Sequence, residues 1–319
     1  MGHDHHGYDC GCHQENHDCK RNMYKTIRRE CDLRSLTKAI NEAGLREAVE
    51  TLDPITVFGP TDCAFSKFEG GETCGDLDQI LLYHVVNQKL YAGDLGNDKL
   101  YETLRDGDEP GSKLTIRANV YSKPTFKNVI TINGAKVVED NIKATNGVLH
   151  KINKVLCPPA GTLLELAINT PTLSILVAAV QAADPIVADV LGNAEISLTL
   201  FAPDNDAFAR LASELGITLD ELLEFLLAPE NQQVLTEILL YHVLSDNIGT
   251  VFSAALRKRT ENVPTALPEK TVDIKKKCGK ILLRDELDRM AKVISKDNLA
   301  TNGVAHIIDN VLLPFNPLA

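Results

Sequence analysis

Thr145-Asn146-Gly147-Val148-Leu149-His150-Lys151-Ile152-Asn153-Lys154-Val155-Leu156 recurs 156 residues later as Thr301-Asn302-Gly303-Val304-Ala305-His306-Ile307-Ile308-Asp309-Asn310-Val311-Leu312, with eight of twelve positions identical. That spacing is far too long for a solenoid repeat and suits a whole domain. Each copy closes its half of the chain, because Cys157-Pro158-Pro159 follows the first and Pro314 the second. Asn-Gly between apolar and β-branched residues predicts a tight hairpin turn with both residues at positive φ. After it, Val148, His150 and Ile152 alternate with Leu149, Lys151 and Asn153, so the first set is expected inside and the second outside. An inward histidine needs hydrogen-bond partners.

Two more stretches repeat in the same order. Phe58-Gly59-Pro60-Thr61-Asp62-Cys63-Ala64-Phe65 is matched by Phe201-Ala202-Pro203-Asp204-Asn205-Asp206-Ala207-Phe208. Each reads as a short buried strand, a cap and a helix, with Thr61 or Asp62 capping the first and Asp204 the second. Ile80-Leu81-Leu82-Tyr83-His84-Val85-Val86 returns as Ile238-Leu239-Leu240-Tyr241-His242-Val243-Leu244. Before the first box, Leu36, Ala39, Ile40, Ala43, Leu45, Ala48 and Val49 recur at helical spacing, broken near Gly44. Leu163 to Ala183 reads as helical in the second half, and Gly216 to Gln233 as an added helical segment. Strands are expected at 113–116, 128–132, 135–138, 271–274 and 280–283, with Asn133-Gly134 as a further hairpin turn.

These three ordered boxes, each present twice, resemble the fasciclin-like domain family over residues 32–158 and 160–315. The resemblance implies an α+β fold: two tandem domains, each a seven-stranded β-wedge or sandwich flanked by helices. The organisation expected is a His/Cys-rich segment at 1–31, a first domain at 32–158 and a second at 159–319. The family's motif positions fall on Asp62, Tyr83, His84 and His150, and on Asn205, Tyr241, His242 and His306. The resemblance assigns them to the scaffold, with a buried His bonded to the Asp62 or Asn205 side chain. Gly59 and Asp204 depart from the usual Ala and Thr. The family's adhesion proteins carry an Asp-Ile-Leu-type sequence proposed to meet integrins, which places Asp297, Asn298 and Leu299 as candidate partner-binding residues. Asp140-Asn141-Ile142 is a weaker counterpart, offset by one position.

Composition narrows the function. The 319 residues carry a formal charge of −11, with 44% apolar and 24% charged residues and no Trp. That balance argues against a nucleic-acid footprint, and Lys275-Lys276-Lys277 is too short to supply one. No apolar run reaches membrane-spanning length, and the first residues lack the apolar core of a signal peptide. There is no Gly-x-Ser-x-Gly, no His-Glu-x-x-His and no P-loop, so no enzyme is expected.

Eight cysteines lean towards an oxidising compartment. The absence of any Asn-x-Ser/Thr sequon keeps a bacterial or plastid origin open. Cys10, Cys12, His13, His17 and Cys19 have three readings: disulfides, a Zn or Cu site, or an unstructured tail. Cys63 and Cys74 are close enough in sequence to close a short disulfide loop. The expectation is an adhesion or scaffolding protein of the cell exterior. It would bind matrix, envelope or cell-surface proteins or polysaccharide. The alternatives are a metal-binding protein that uses the N-terminal segment, or a soluble accessory subunit of a larger complex.

Overall fold

The first helix, α1 (Met23–Arg29), starts at Asn22, whose side chain accepts the Lys25 amide. It buries Met23, Tyr24 and Ile27. Sequence patterning places this helix in a polar N-terminal segment, because three apolar residues in seven are too few to set a period. α2 (Arg34–Glu42) and α3 (Arg46–Thr51) follow, separated at Gly44, which has φ +70°. β1 (Ile55–Pro60) leads into the four-residue α4 (Asp62–Phe65), capped by Thr61. α5 (Leu77–Tyr83) ends at His84. Then come β2 (Val85–Val86), β3 (Lys99–Asp106), β4 (Lys113–Lys123), β5 (Phe126–Ile132), β6 (Ala135–Ala144) and β7 (Gly147–Ile152).

The second half runs α6 (Leu163–Ile168), α7 (Ser174–Ala182), α8 (Pro185–Gly192), β8 (Leu198–Pro203) and α9 (Asn205–Leu215). It continues with α10 (Leu219–Leu227), α11 (Gln232–Tyr241), β9 (Arg259–Pro264) and β10 (Thr271–Lys277). It closes with β11 (Lys280–Arg284), β12 (Met290–Ala300) and β13 (Gly303–Ile308). The region expected as one helix from Leu163 breaks at Thr170-Pro171, where Pro171–Leu173 form a single 3-10 turn. Proline has no amide to donate and disfavours helix in the residue before it. α10 is the added segment, closed by a reciprocal Thr218–Glu221 capping box.

This is a computed structural model, and it describes residues 21–68, 75–107, 111–123, 126–159, 161–256, 259–277 and 279–317. The chain divides into two compact units. One holds the residues up to Ala118 together with Ala135–Cys157; the other holds Asn119–Gly134 together with Pro158–Ala319.

Strands β1 to β7 close into a barrel in that order, and the later strands form a sheet ordered β8-β13-β12-β11-β10-β9. In both, the first strand pairs in parallel with the last: Phe58 lies beside His150, and Phe201 beside His306. β6 and β12 lie antiparallel on the far side of β7 and β13. β7 is therefore an inner strand, and its second face is covered by helices. Leu149 packs with Ile27, Leu36 and Ile40 of α1 and α2. All six residues of β7 are buried, so the expected inside–outside alternation is absent. Strands covered on both faces lose that alternation. The second unit repeats the layering: Leu198, Leu200 and Ala202 of β8 join a helical core with Leu176, Phe208 and Leu235. Phe201, on the other face, packs against Ile274, Leu283 and Ile308 of the sheet.

Candidate functional site

The Asn-Gly stretch does close a tight hairpin, with Ala144 paired to Gly147 and Ala300 to Gly303, but the two turn residues are Thr145-Asn146 and Thr301-Asn302 rather than Asn-Gly. Neither Asn146 nor Asn302 has positive φ. The glycine is needed for close approach instead. A Cβ on Gly147 would lie 1.9 Å from the Ile55 carbonyl oxygen, and one on Gly303 would lie 2.1 Å from that of Leu198. The parallel first strand crowds these positions from the side. The expected turn with both residues at positive φ does form at Asn133-Gly134, with φ of 46° and 75° between β5 and β6.

The asparagine has a role that sequence patterning does not show. Asn146 Oδ1 accepts the Met23 amide, and its Nδ2 donates to the carbonyls of Val49 and Leu52. Asn302 does the same with the Leu163 amide and the carbonyls of Leu191 and Asn193. Each asparagine thus saturates a helix start and a helix end at once.

Tyr83 and Tyr241 are fully buried, and their hydroxyls donate to the carbonyls of Thr115 and Thr271 at 2.8 and 2.6 Å. His84 is buried at the end of α5. Its Nδ1 meets the Ile80 carbonyl at 2.7 Å, and its Nε2 accepts the Leu156 amide at 2.9 Å. His242 repeats this with Ile238 and Leu312 at the same two distances. A carbonyl only accepts and an amide only donates, so these partners specify a neutral imidazole protonated on Nδ1. Burial pushes both histidines down to about 4, only partly opposed by the backbone carbonyl.

His150 and His306 take the other tautomer. Their Nε2 donates to the carbonyls of Leu90 and Val251, both at 2.9 Å. Their Nδ1 accepts the amides of Asn141 and Asp297. Burial holds both below the usual imidazole value. Each stacks on the phenylalanine beside it in the parallel pair, Phe58 at 5.5 Å and Phe201 at 5.7 Å between ring centroids.

The expected bond from histidine to Asp62 or Asn205 is not formed. Asp62 Oδ1 accepts the Ser35 amide at the start of α2, and Asn205 Oδ1 accepts that of Ile175 at the start of α7. The parallel strands bring phenylalanine, not Asp62 or Asn205, beside each histidine; these two follow the phenylalanines along the chain and face α2 and α7.

Asn141 and Asp297 sit at φ 64° and 60°, in bulged parts of β6 and β12. The bulge turns their amides onto the histidines. Asp297 Oδ1 accepts the Ser253 amide, as Asn141 Oδ1 accepts that of Ala92. Asn298 Nδ2 donates to the Ala305 carbonyl, and its Oδ1 accepts from Ser295. Asp297, Asn298 and Leu299 are all half-buried.

Lys151, expected outside, is only 4% exposed. Its ammonium lies 2.7 Å from Glu30, 2.9 Å from Asp32 and 2.9 Å from Glu139. Burial opposes its charge, but these carboxylates prevail and raise its pKa. No spacing in the sequence points to this cluster, because its members come from the C-cap of α1, the turn after it, β6 and β7.

Cys63, close enough in sequence to Cys74 for a short disulfide loop, is a free and exposed thiol. Ala64 is the buried residue of the short α4, which leaves Cys63 on the outer side. Cys31 is also free, whereas Cys157 is disulfide-bonded. Cys74 and the metal candidates Cys10, Cys12, His13, His17 and Cys19 lie outside the described residues. Among the described residues, no three His, Cys, Asp or Glu side chains are grouped to hold a metal. No described helix is long and apolar enough to cross a membrane.

Comparison with known proteins places these paired arrangements. The fasciclin domain profile matches residues 32–158 and 171–314. Protein sll1483 of Synechocystis is 38% identical over 163 residues, covering 51% of this chain and 79% of that protein. Human periostin is 27% identical over 285 residues, covering 85% of this chain but only 29% of periostin. A solved FAS1 domain pair from the insect cell adhesion molecule fasciclin I aligns with a TM-score of 0.45 at 20% identity, covering 88% of this chain and 97% of that one. With the family profile matched twice across most of its length, and both copies built on the same asparagine, histidine and parallel-strand arrangement, this chain belongs to the fasciclin domain family.

Proposed function

We propose that the chain is a non-enzymatic adhesion or scaffolding protein that binds matrix, envelope or cell-surface partners through the exposed faces of its two domains. The observation that carries this reading is the saturation of the motif histidines. Each of the four has both ring nitrogens bonded to backbone groups and is buried. A general base needs a free lone pair within reach of substrate, and these imidazoles offer none. Tyr83, His84, His150, Tyr241, His242 and His306 serve the scaffold in this reading, with Asp62 and Asn205 as helix-start acceptors. Asp297 and Asn298 spend their side chains holding the loop before β9 and the strand β13, leaving Leu299 as the member free to meet a partner.

One further fact agrees with a place outside the cell: Cys157 is disulfide-bonded, which suits an oxidising compartment. The test is attachment of the purified full chain to immobilised matrix and to intact cells. Saturable attachment is expected, and its loss after unfolding in urea should follow the melt of the domains. Substrate turnover that vanishes in a still-folded His84→Ala or His242→Ala protein would overturn the reading.

A further inference from the structure

The two domains serve as controls for one another, because the same hydrogen bonds align them residue by residue. Asn146 binds the Met23 amide and Asn302 the Leu163 amide. The Thr145 and Thr301 amides donate to the carbonyls of Arg21 and Gly161. Helix α1 therefore corresponds to α6, and Arg21, Lys25, Arg28 and Arg29 correspond to Gly161, Glu165, Ile168 and Asn169. The outward face carries four positive charges in the first domain and one negative charge in the second. The fold does not require those cations, since the matching helix does without them.

Lys25, Arg28 and Arg29 are exposed, and with Arg21 they line a shallow open depression of about 320 Å³. Among the described residues none of the four side chains has an ion-pair or hydrogen-bond partner. Among the described residues, the acids nearest in sequence, Glu30 and Asp32, both bind Lys151. Arg21, Lys25 and Arg29 follow at steps of four residues, a spacing at which like charges repel along a helix. The carbonyls at the end of α1 favour Arg28 and Arg29, but they do not explain Lys25 or Arg21. A concentrated basic row in a chain of net charge −11 is thus maintained against its own repulsion.

We propose that this face of α1 is a binding site for a linear acidic polysaccharide bearing sulfate or carboxylate groups. The proposal deepens the surface-binding reading above and rests on it. The row is about 12 Å long at the helical rise and one residue wide, which suits a thin charged chain. Three of the four cations are arginines, whose planar fork matches the oxygens of sulfate and carboxylate. A broad anionic bilayer would also have to approach the acidic remainder of the protein. The neighbouring apolar side chains Met23, Tyr24 and Ile27 are buried, which leaves no aromatic platform for the stacked bases of a single-stranded nucleic acid.

The test uses dextran sulfate as probe and uncharged dextran as control, titrated into the full chain at several salt concentrations. The variant Lys25→Glu/Arg28→Ile/Arg29→Asn carries the residues that α6 carries; Lys25→Gln/Arg28→Gln/Arg29→Gln serves if it fails to fold, each being checked by its melt. Binding should weaken at least tenfold in the variant, and the salt dependence should flatten by about two to three charges. Lys275→Gln/Lys277→Gln should bind as the parent does. Equal binding by parent and α1 variant overturns the site. So does loss of binding confined to the Lys275 variant, or tighter binding of phosphatidylserine vesicles or single-stranded DNA than of dextran sulfate. Cell and matrix attachment is scored separately: its absence with dextran sulfate binding intact removes the adhesion reading and leaves the site standing, and its persistence when parent and α1 variant bind dextran sulfate equally removes only the site.

Discussion

Asn146 accepts the Met23 amide at 2.7 Å, and so ties the turn before the domain's last strand to the start of its first helix, 123 residues earlier. The same side chain holds two carbonyls at the end of α3. Asn146→Ala would strand one buried amide and two carbonyls, with a cost of about 3 kcal/mol to the first domain. Asn302→Ala should do the same to the second. Urea denaturation of each variant checks this, and a change below about 1 kcal/mol would remove the clamp from the account.

Gly147→Ala should destabilise by about 3 kcal/mol or more, because the new methyl would meet the Ile55 carbonyl rather than a movable side chain. Gly44→Ala is the contrast. Its φ is +70° but nothing lies within 4 Å of a Cβ there, so the cost is the strain of one left-handed residue, about 1 kcal/mol. If thermal melts reversed that order, crowding by the parallel strand would not be the reason for glycine.

Acid should weaken both domains. His84 and His242 are held near 4 in the folded chain, below their ordinary 6.5. The unfolded chain therefore takes up the protons first, and stability present above pH 6.5 is lost as pH falls towards 4. Each histidine contributes about 3 kcal/mol to that loss. His150 and His306, also lowered, add in the same direction. Denaturant titrations at pH 7, 5 and 4 measure it, and equal stability at pH 7 and 4 would contradict neutral, backbone-bonded imidazoles.

Native alkylation should modify Cys31 and Cys63 rapidly, since both are exposed thiols, and should leave Cys157 untouched without reductant. Peptide mapping reads this directly. Protection of Cys63 would bring back the short-loop disulfide.

The fold was legible because it is written twice. The Phe-x-Pro box, the Tyr-His pair and the Asn-Gly stretch each recur in order, and the elements around them follow local rules such as the caps at Thr61 and Asp204. What escaped depends on contacts between distant segments. Gly147 looked like a turn residue because its neighbour in sequence is Asn146, whereas its constraint comes from Ile55. Lys151 looked solvent-facing because alternation cannot reveal that helices cover the second side of a strand. Helix α1 was hidden by its short length, and the fasciclin profile likewise begins after it, at residue 32, as it begins after α6 at 171. The histidine partners were legible as a need but not as identities, since every one is a backbone group.

The parallel pairing of β1 with β7, and of β8 with β13, also bears on how the protein is made. In each domain the strand that lies against the first is the last to leave the ribosome. Until Gly147–Ile152 emerges, β1 has its short antiparallel contact with β2 but no partner along most of its length. Each half of the chain must therefore be translated almost to its end before it can close. The first domain gains that opportunity while the second is still being synthesised, so the two can fold in turn rather than compete for each other's matching strands.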